Sequence, residues 1–249
     1  MNAHAATQLL LDARTSGLLL DWRRLAVGDA ATAYAVQDAQ LLRLGPVGAW
    51  KVGSKGEGAE PACSPLPASG VLAAGVELSG PQWRIRGLEA ELALRVGRDF
   101  DPGDALPSRE ELLGVFDAVL PAIEVVETRL GPAPCGNPWA AMADLQSHGA
   151  LVLGTPLPMP ATGPDLRTIS ASLSLDGKEV ARMTGGNPAG DVWAMLAWLA
   201  RHCSRRGMPL KKGQIVTTGS CTGVQHARPG MKVEAMLDGI GAVAFSFGG

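Results

Sequence analysis

The spacing of apolar residues changes along this 249-residue chain from a helical to a strand-like period. Leucines lie on one side of residues 7–14, and apolar side chains recur near every third or fourth position of residues 30–44, directly after Asp29. This spacing behind a capping aspartate is typical of amphipathic helices. The sequence therefore predicts helices at the start of the chain, followed by a short strand at residues 49–53.

Residues 57–70 are rich in proline, alanine and glycine and predict a long loop. Loops of this length are often functional, and the composition is compatible both with a mobile lid and with a fixed connection. After residue 70 the pattern is one of short strands and turns, with Asp176-Gly177 as a tight hairpin turn. We predict strands at residues 83–96, 122–129, 150–154, 170–175, 179–183, 214–218, 232–237 and 242–247.

Two predicted helices interrupt these strands. Ser108 and Glu111 have the spacing of a capping box, which predicts a helix that runs to about residue 119. Asp191 caps a second helix with apolar residues at i, i+3 and i+4, and Gly207 ends it. Helices followed by strands with inserted helices indicate an α+β fold with a mixed or antiparallel β core.

The composition narrows the class of protein. The net charge is −2, so nothing in it favours a nucleic-acid partner. No apolar run is long enough to span a bilayer, and the first residues are amphipathic rather than like a signal peptide. The four cysteines lack Cys-x-x-Cys spacing, which indicates free thiols. We therefore expect a cytoplasmic protein that binds neither nucleic acid nor membranes.

Three glutamates are the candidates for chemistry. Glu89 and Glu91 are two residues apart in a predicted strand, so their side chains point to the same face. Glu124 lies in the next predicted strand, within an apolar run. If the two strands are neighbours, three carboxylates can surround one hard divalent cation, because oxygen ligands suit Mg²⁺ or Mn²⁺ better than zinc.

A second interpretation of these residues is open. Alternating glutamates in a strand are usually the solvated face of a half-buried sheet. Against it, like charges on one face repel each other, and glutamate is a poor strand former. A lone carboxylate in the apolar run around Glu124 would also be costly to bury without a partner.

Several short motifs in a fixed order resemble the fumarylacetoacetate hydrolase superfamily. The resemblance is greatest to its branch of 2-oxopent-4-enoate (2-hydroxypentadienoate) hydratases and 4-oxalocrotonate decarboxylases, and it covers nearly the whole chain. The motifs are Trp-Lys-Val-Gly at 50–53, Glu-Ala-Glu at 89–91, Leu-Pro-Ala-Ile-Glu-Val-Val at 120–126, Asp-Leu-Gln-Ser-His-Gly at 144–149, Lys-Lys-Gly-Gln-Ile-Val-Thr-Thr-Gly-Ser at 211–220 and Gly-Ile-Gly-Ala-Val at 239–243.

This resemblance implies a fold, a cofactor and a substrate class. The expected fold is a mixed β-sandwich roll with a helical N-terminal segment, divided into residues 1–70 and a catalytic β-roll domain at residues 71–249. The expected cofactor is Mg²⁺ or Mn²⁺ held by Glu89, Glu91 and Glu124. The expected substrate is a small 2-oxo or 2-hydroxydienoic acid from aromatic catabolism, and we expect a homo-oligomer.

The resemblance also implies roles for polar residues near the metal. Lys51 would pair with the substrate carboxylate or move a proton. Ser147 would contact the substrate, while Asp144 would shape the turn before it. Thr218 and Ser220 would help to hold a carboxylate with hydroxyl and backbone N–H groups, although a plain turn is the alternative for these two.

Two departures from the pattern of this branch leave the reaction open. Residues 70–75 lack the acidic residue that hydratases of the branch carry there, which is a proton carrier in hydration. His148 stands where a histidine is unusual and is a candidate base for activating water, or a buried histidine bonded to backbone. His202, in a predicted helix, has a weaker claim.

Four functions are therefore compatible with the sequence. The first is a metal-dependent lyase that hydrates a 2-hydroxy-2,4-dienoate to a 4-hydroxy-2-oxo acid. The second is a C–C hydrolase of acylpyruvates such as fumarylpyruvate or maleylpyruvate, with His148 as its base. The third is a 4-oxalocrotonate-type decarboxylase, and the fourth is a non-catalytic partner subunit, which the intact acidic trio and Lys51 argue against.

Overall fold

The computed structural model describes residues 3–56 and 58–249. Glu57, the first residue of the predicted loop, lies outside this part of the chain. The described residues contain five α-helices, none of which is long and apolar enough to cross a membrane. They are α1 (Ala3–Ser16), α2 (Ala30–Leu44), α3 (Arg109–Leu113), α4 (Pro138–Ala143) and α5 (Val192–Arg205).

Strands make up most of the remaining regular structure and form a mixed pattern of parallel and antiparallel pairs, which confirms the predicted α+β class. They are β1 (Leu20–Asp21), β2 (Val47–Gly53), β3 (Ala62–Pro67), β4 (Val71–Ala73), β5 (Glu77–Leu78), β6 (Gly87–Val96), β7 (Phe116–Val126), β8 (Leu130–Gly131), β9 (His148–Leu153), β10 (Leu157–Pro158), β11 (Ser170–Leu175), β12 (Lys178–Thr184), β13 (Ile215–Ser220), β14 (Gln225–His226), β15 (Lys232–Leu237) and β16 (Gly241–Phe247).

The largest sheet is rolled so that its two edge strands are joined by one short turn. Its strands run in the order β3-β2-β13-β6-β7-β9-β4, with β10 and β14 added beside β7 and β6. The edge strand β3 leads through a 3-10 turn, Ala68–Gly70, directly into the opposite edge strand β4. The concave face of the roll is apolar at one end, where Ala49, Leu66, Ala93, Leu120, Ala122, Leu151 and Ile215 pack together.

Closure of the roll depends on a close approach at Gly48. A Cβ atom at this position would lie 2.6 Å from the Cα of Ala68. We expect Gly48→Ala to lower the free energy of unfolding by about 1–3 kcal/mol, because the turn between the edge strands must shift to admit the methyl group. Gly28→Ala is the matched control, since nothing lies within 4 Å of its Cβ position. Urea denaturation of both variants measures the difference, and equal stability would contradict this account of the closure.

A five-stranded sheet, ordered β12-β11-β15-β16-β5, packs against the convex face of the roll. Leu88, Ala90, Leu92 and Leu94 of β6 point into the layer between the sheets, where all four are buried. Helix α5 adds its apolar face to the same core. Fully burying a leucine side chain contributes about 1.5–3 kcal/mol. Because these apolar side chains hold one face of β6 in the layer between the sheets, Glu89 and Glu91 lie on the opposite face.

Helices α1, α2 and α4 form a smaller core beside the roll. Two buried glutamines of α2 tie this cluster to its neighbours. The side-chain amide of Gln37 donates to the carbonyl oxygens of Cys63 (3.2 Å) and Met142 (2.8 Å), and that of Gln40 donates to Ala143 (2.7 Å). The helical segment is therefore attached to strand β3 and helix α4 by buried hydrogen bonds as well as by apolar contacts.

The predicted helix caps and hairpin are confirmed. The carboxylates of Asp29 and Asp191 accept hydrogen bonds from the first turns of α2 and α5. Ser108 and Glu111 form the complete capping box of α3. The two-residue turn of Asp176 and Gly177 has positive φ at both positions, 49° and 77°, and joins β11 to β12 as predicted.

Two predicted spans are wrong. Residues 57–70 are not one long loop, because residues 62–67 form the buried strand β3 and residues 68–70 the turn after it. The helix opened by Ser108 ends at Leu113 rather than near residue 119, and β7 begins at Phe116. Since β2 and β3 belong to the rolled sheet, that sheet crosses the predicted boundary at residue 70, and the division into two domains stays a prediction.

Candidate active site

Three carboxylates converge on the concave face of the roll. Glu89 and Glu91 share this face of β6, and Glu124 of β7 lies directly opposite Glu89 in the antiparallel register. One carboxylate oxygen from each residue lies within 4.8 Å of the other two. The structure thus brings together the trio that the strand period and the predicted pairing placed on one side of the sheet.

These carboxylates are not a solvated sheet face. Glu91 and Glu124 are only 2% and 1% exposed, and Glu89 is half-buried. Burial raises the pKa of Glu91 well above its usual value, and the charges of Glu124 and Glu89 raise it further. The pKa of Glu89 is raised by the same two effects, burial first and Glu124 second. The cluster therefore holds more negative charge than the surrounding protein neutralises.

Lys51 of β2 contributes one positive charge to the cluster. Its ammonium forms an ion pair with Glu124 and donates a hydrogen bond to the carbonyl oxygen of Gln146 at 3.2 Å. Burial acts to lower the pKa of Lys51, but Glu124, Glu91 and Glu89 outweigh it, and the pKa is raised. Lys51 is therefore a cation here, which favours pairing with a substrate carboxylate.

The donor set fits a hard divalent cation. Three glutamates and one lysine leave two negative charges when all are ionised, which a divalent ion would balance. The second carboxylate oxygen of Glu124, Oε2, is buried and has no hydrogen-bond partner among the described residues. The trio contains no thiolate or imidazole, so its ligand atoms are all oxygens, which suits Mg²⁺, Ca²⁺ or Mn²⁺ rather than zinc.

The end of β13 fixes Glu91 through its backbone. Gly219 has a φ of 91°, and its N–H donates to Oε2 of Glu91 at 3.0 Å. Asn187 holds this segment by donating to the carbonyl oxygens of Thr218 (2.7 Å) and Gly219 (3.0 Å). Ser220 lines the cleft over the cluster. Thr218 does not line the cleft. Its hydroxyl is buried and donates to the carbonyl oxygen of Leu92 at 2.9 Å.

A left-handed turn brings Gln146, rather than Ser147, to the cleft. Leu145, Gln146 and Ser147 all have positive φ, between 48° and 61°. Such conformations cost non-glycine residues about 1–3 kcal/mol each and persist only where the surroundings enforce them. The turn places the Gln146 side chain in the cleft and its carbonyl oxygen on Lys51, whereas Ser147 is not among the cleft-lining residues.

A buried ion pair enforces this turn. The guanidinium of Arg129 lies 2.6 Å from the carboxylate of Asp144 and also donates to the carbonyl oxygens of Asp144 (2.8 Å) and His148 (2.7 Å). The same carboxylate accepts from the hydroxyl of Thr128 at 2.7 Å. Asp144 therefore shapes the turn, as predicted, and it does so from within a closed polar network.

His148 lies behind the cleft. It is fully buried, and a Cβ atom at Gly70 would come within 2.7 Å of its Nε2. Burial lowers its pKa well below the usual value, and the charges of Arg14, Lys51 and Arg129 lower it further, which favours the neutral imidazole at neutral pH. His148 does not line the cleft, which argues against its predicted role as a base acting on water there.

The cleft above the carboxylates has a volume of about 540 Å³. One part of its wall comes from three helices and was not predicted from the sequence. Each helix presents side chains at a spacing of three or four residues, which lie on one helix face. These wall residues are Ala30 and Tyr34 of α2, Trp139 and Met142 of α4, and Trp198 and His202 of α5.

Comparison with known protein families gives a match over most of the chain. The family described as "Fumarylacetoacetate (FAA) hydrolase C-terminal" matches residues 46–247. The 2-keto-4-pentenoate hydratase of Paraburkholderia xenovorans is 32% identical over 165 residues, which cover 64% of this chain and 58% of that protein. The chain therefore matches less than two-thirds of that relative's length. The "TodF product hydratase" of Pseudomonas putida is 29% identical over 260 residues, covering 97% of this chain and 94% of that protein.

Solved structures show the same fold. The 4-oxalocrotonate decarboxylase from Pseudomonas putida G7, complexed with magnesium and adipate, superposes with a TM-score of 0.81. The superposition covers 99% of this chain and 98% of that chain at 20% sequence identity. The likeness extends over the whole chain and includes the N-terminal helices, which confirms the predicted helical segment and mixed β roll.

Proposed function

Because the chain belongs to the fumarylacetoacetate hydrolase C-terminal family, we propose that it is a divalent-metal-dependent hydratase. The proposed reaction converts a 2-hydroxy-2,4-dienoate and water to a 4-hydroxy-2-oxo acid. The observation that carries the proposal is the convergence of Glu89, Glu91 and Glu124, with Lys51 paired to Glu124, in a cleft. Relatives named as hydratases of 2-keto-4-pentenoate and 2-hydroxyhexa-2,4-dienoate support the substrate class.

Glu89, Glu91 and Glu124 would hold the metal ion, and Mg²⁺ is the first candidate since a neighbour of the same fold is complexed with it. When bound, the ion would supply Lewis acidity to the carboxylate and 2-oxo oxygens of the substrate. The N–H of Gly219 keeps Glu91 oriented toward the cleft. A preference for Mn²⁺, a cytoplasmic location and a homo-oligomeric assembly stay predictions from the sequence.

The reaction needs two proton movements and one addition of water. The dienol loses its hydroxyl proton and gains a proton at the terminal carbon, which gives a 2-oxo-3-enoate. Water then adds across the remaining double bond, with oxygen to C4 and hydrogen to C3. We assign to Lys51 the binding of the substrate carboxylate, because its Nζ is a cation beside the carboxylates and is held by Glu124 and the carbonyl oxygen of Gln146. The raised pKa of Lys51 favours this role over that of a proton carrier.

Substrate tests separate this proposal from its alternatives. The protein is incubated with 2-hydroxypenta-2,4-dienoate, maleylpyruvate or 4-oxalocrotonate in the presence of Mg²⁺, and products are identified by NMR. We expect the 4-hydroxy-2-oxo acid from the dienoate, loss of turnover after chelation with EDTA, and recovery when Mg²⁺ is returned. Pyruvate released from maleylpyruvate without any 4-hydroxy product would support the hydrolase, and carbon dioxide from 4-oxalocrotonate alone would support the decarboxylase.

A further inference from the structure

The part of the cleft wall that comes from helices is mainly aromatic and apolar. Tyr34, Trp139, Met142 and Trp198 come from three different helices and line one continuous cleft with the carboxylates. All four are partly buried, so each keeps some surface that a ligand can cover. A wall of this kind recognises the part of a substrate that lies away from the metal-binding end, because ligand sites are mostly apolar with a few placed polar groups.

His202 extends this wall without adding charge. Its imidazole stacks on Trp198, with ring centroids 4.5 Å apart and planes 10° from parallel, and it meets Tyr34 at 4.5 Å. Burial, and to a smaller extent the charges of Arg206 and Arg205, lowers the pKa of His202 to about 4. The ring is therefore neutral at neutral pH and acts as one more flat surface.

The positive charges around the wall are already engaged or exposed. Among the described cleft-lining residues the cations are Lys51, which is paired with Glu124, and Lys55, which is exposed. Behind Tyr34, the guanidinium of Arg206 lies 4.6 Å from the ring centroid and is bound by Asp38 and by Gln37 at 3.2 Å. A second substrate carboxylate buried against the wall would lose its hydration, which is costly. Its remaining counterion, Lys55, is exposed, and ion pairs with exposed lysines contribute only about 1 kcal/mol or less.

We propose that this wall makes the protein specific for monocarboxylic 2-oxo acids with an apolar alkyl or aryl distal end, and that it rejects acids with a second, distal carboxylate. The inference rests on the proposed function, since it assumes that the 2-oxo acid end binds at Glu89, Glu91 and Glu124. The cleft volume of about 540 Å³ agrees with it. This volume falls within the range for drug-sized ligands, so there is room for a substituent larger than that of a five-carbon acid.

Two stable acids of nearly the same shape test the proposal. Binding of 6-methyl-2-oxoheptanoate and of 2-oxohexanedioate is measured by calorimetry with and without Mg²⁺. The isopropyl group of the first acid has the shape of the distal carboxylate of the second. We expect the monoacid to bind at least tenfold more tightly in the presence of Mg²⁺. Equal affinity, or tighter binding of the diacid, would overturn the specificity alone, whereas no Mg²⁺-dependent binding of either acid would overturn the proposed function and the inference with it.

A positive charge placed in the wall should change the preference of the protein for the monoacid over the diacid. Met142→Lys is expected to improve binding of the diacid relative to the monoacid by at least tenfold, since it supplies a counterion within the wall. Met183→Lys is the matched control, because Met183 is 45% exposed on β12, outside the cleft, and should leave the ratio unchanged. An unchanged ratio in a folded Met142→Lys protein would contradict the placement of the distal end against this wall. If that variant does not fold, the comparison of the two acids on the unmodified protein still decides the specificity.

Discussion

Glu91→Gln is expected to weaken Mg²⁺ binding about 100-fold and to remove metal-dependent turnover. The substitution keeps the shape of the side chain and an oxygen that can accept from the N–H of Gly219, but it deletes one of the three charges. A 100-fold change corresponds to about 2.7 kcal/mol of binding free energy. Calorimetric titration of the metal-free protein with Mg²⁺ measures the loss directly, and the matched control is Glu234→Gln, an exposed glutamate on β15.

The same variant should not be less stable without metal. The pKa of Glu91 is raised in the folded protein, so the ionised carboxylate opposes folding at neutral pH. Replacing it with a neutral amide removes that repulsion, and we expect the metal-free variant to melt at the same or a higher temperature. Unchanged Mg²⁺ affinity would contradict the assignment of the site, while lower stability with unchanged affinity would indicate a purely structural glutamate.

The position of the acidic trio could be predicted in part from strand geometry, and the family resemblance favoured the site that this geometry left open. Alternation in β6 sets Glu89 and Glu91 on one face, and antiparallel pairing with the next long strand sets Glu124 beside them. The alternation within β6 needs no long-range information, but the pairing with β7 joins residues far apart in the sequence and was only a condition of the prediction. The burial of Glu91 and Glu124 also depends on long-range structure, because whether a sheet face is solvated depends on how the whole sheet rolls.

Other features of the site depend on tertiary structure that overrides local preferences. Pro65 and Pro67 made residues 57–70 look like a loop, but β3 is an edge strand, where proline is tolerated because not every N–H must pair. The turn at residues 145–147 is left-handed without any glycine, so no local pattern indicated that Gln146 would replace Ser147 in the cleft. The ion pair of Arg129 with Asp144 holds that conformation, together with backbone hydrogen bonds of Ser147.

Asp144→Asn is expected to lower the free energy of unfolding by about 3–5 kcal/mol, the usual cost of leaving a buried charge without its partner. Arg129 and Asp144 are 6% and 1% exposed, so water cannot replace the lost carboxylate. The nearby guanidinium of Arg14 makes the expected loss of stability larger. Burial and the charge of Arg129 lower the pKa of Arg14 to about 9, and Asp144 opposes that lowering. Without Asp144 the two arginines would repel each other in a region of low dielectric constant.

Urea denaturation of Asp144→Asn against Asp104→Asn tests this directly. Asp104 forms a solvent-exposed pair with Arg205 at 2.8 Å, and exposed pairs contribute about 1 kcal/mol or less. A loss of less than 1 kcal/mol in Asp144→Asn would show that the network does not hold the left-handed turn. If the loss is as large as expected, the folded fraction of the variant should also turn over more slowly, because the turn carries the carbonyl oxygen of Gln146 that positions Lys51. We therefore expect the buried charge pair to be the main support of the strained turn at residues 145–147, and the position of Lys51 in the cleft to depend on it.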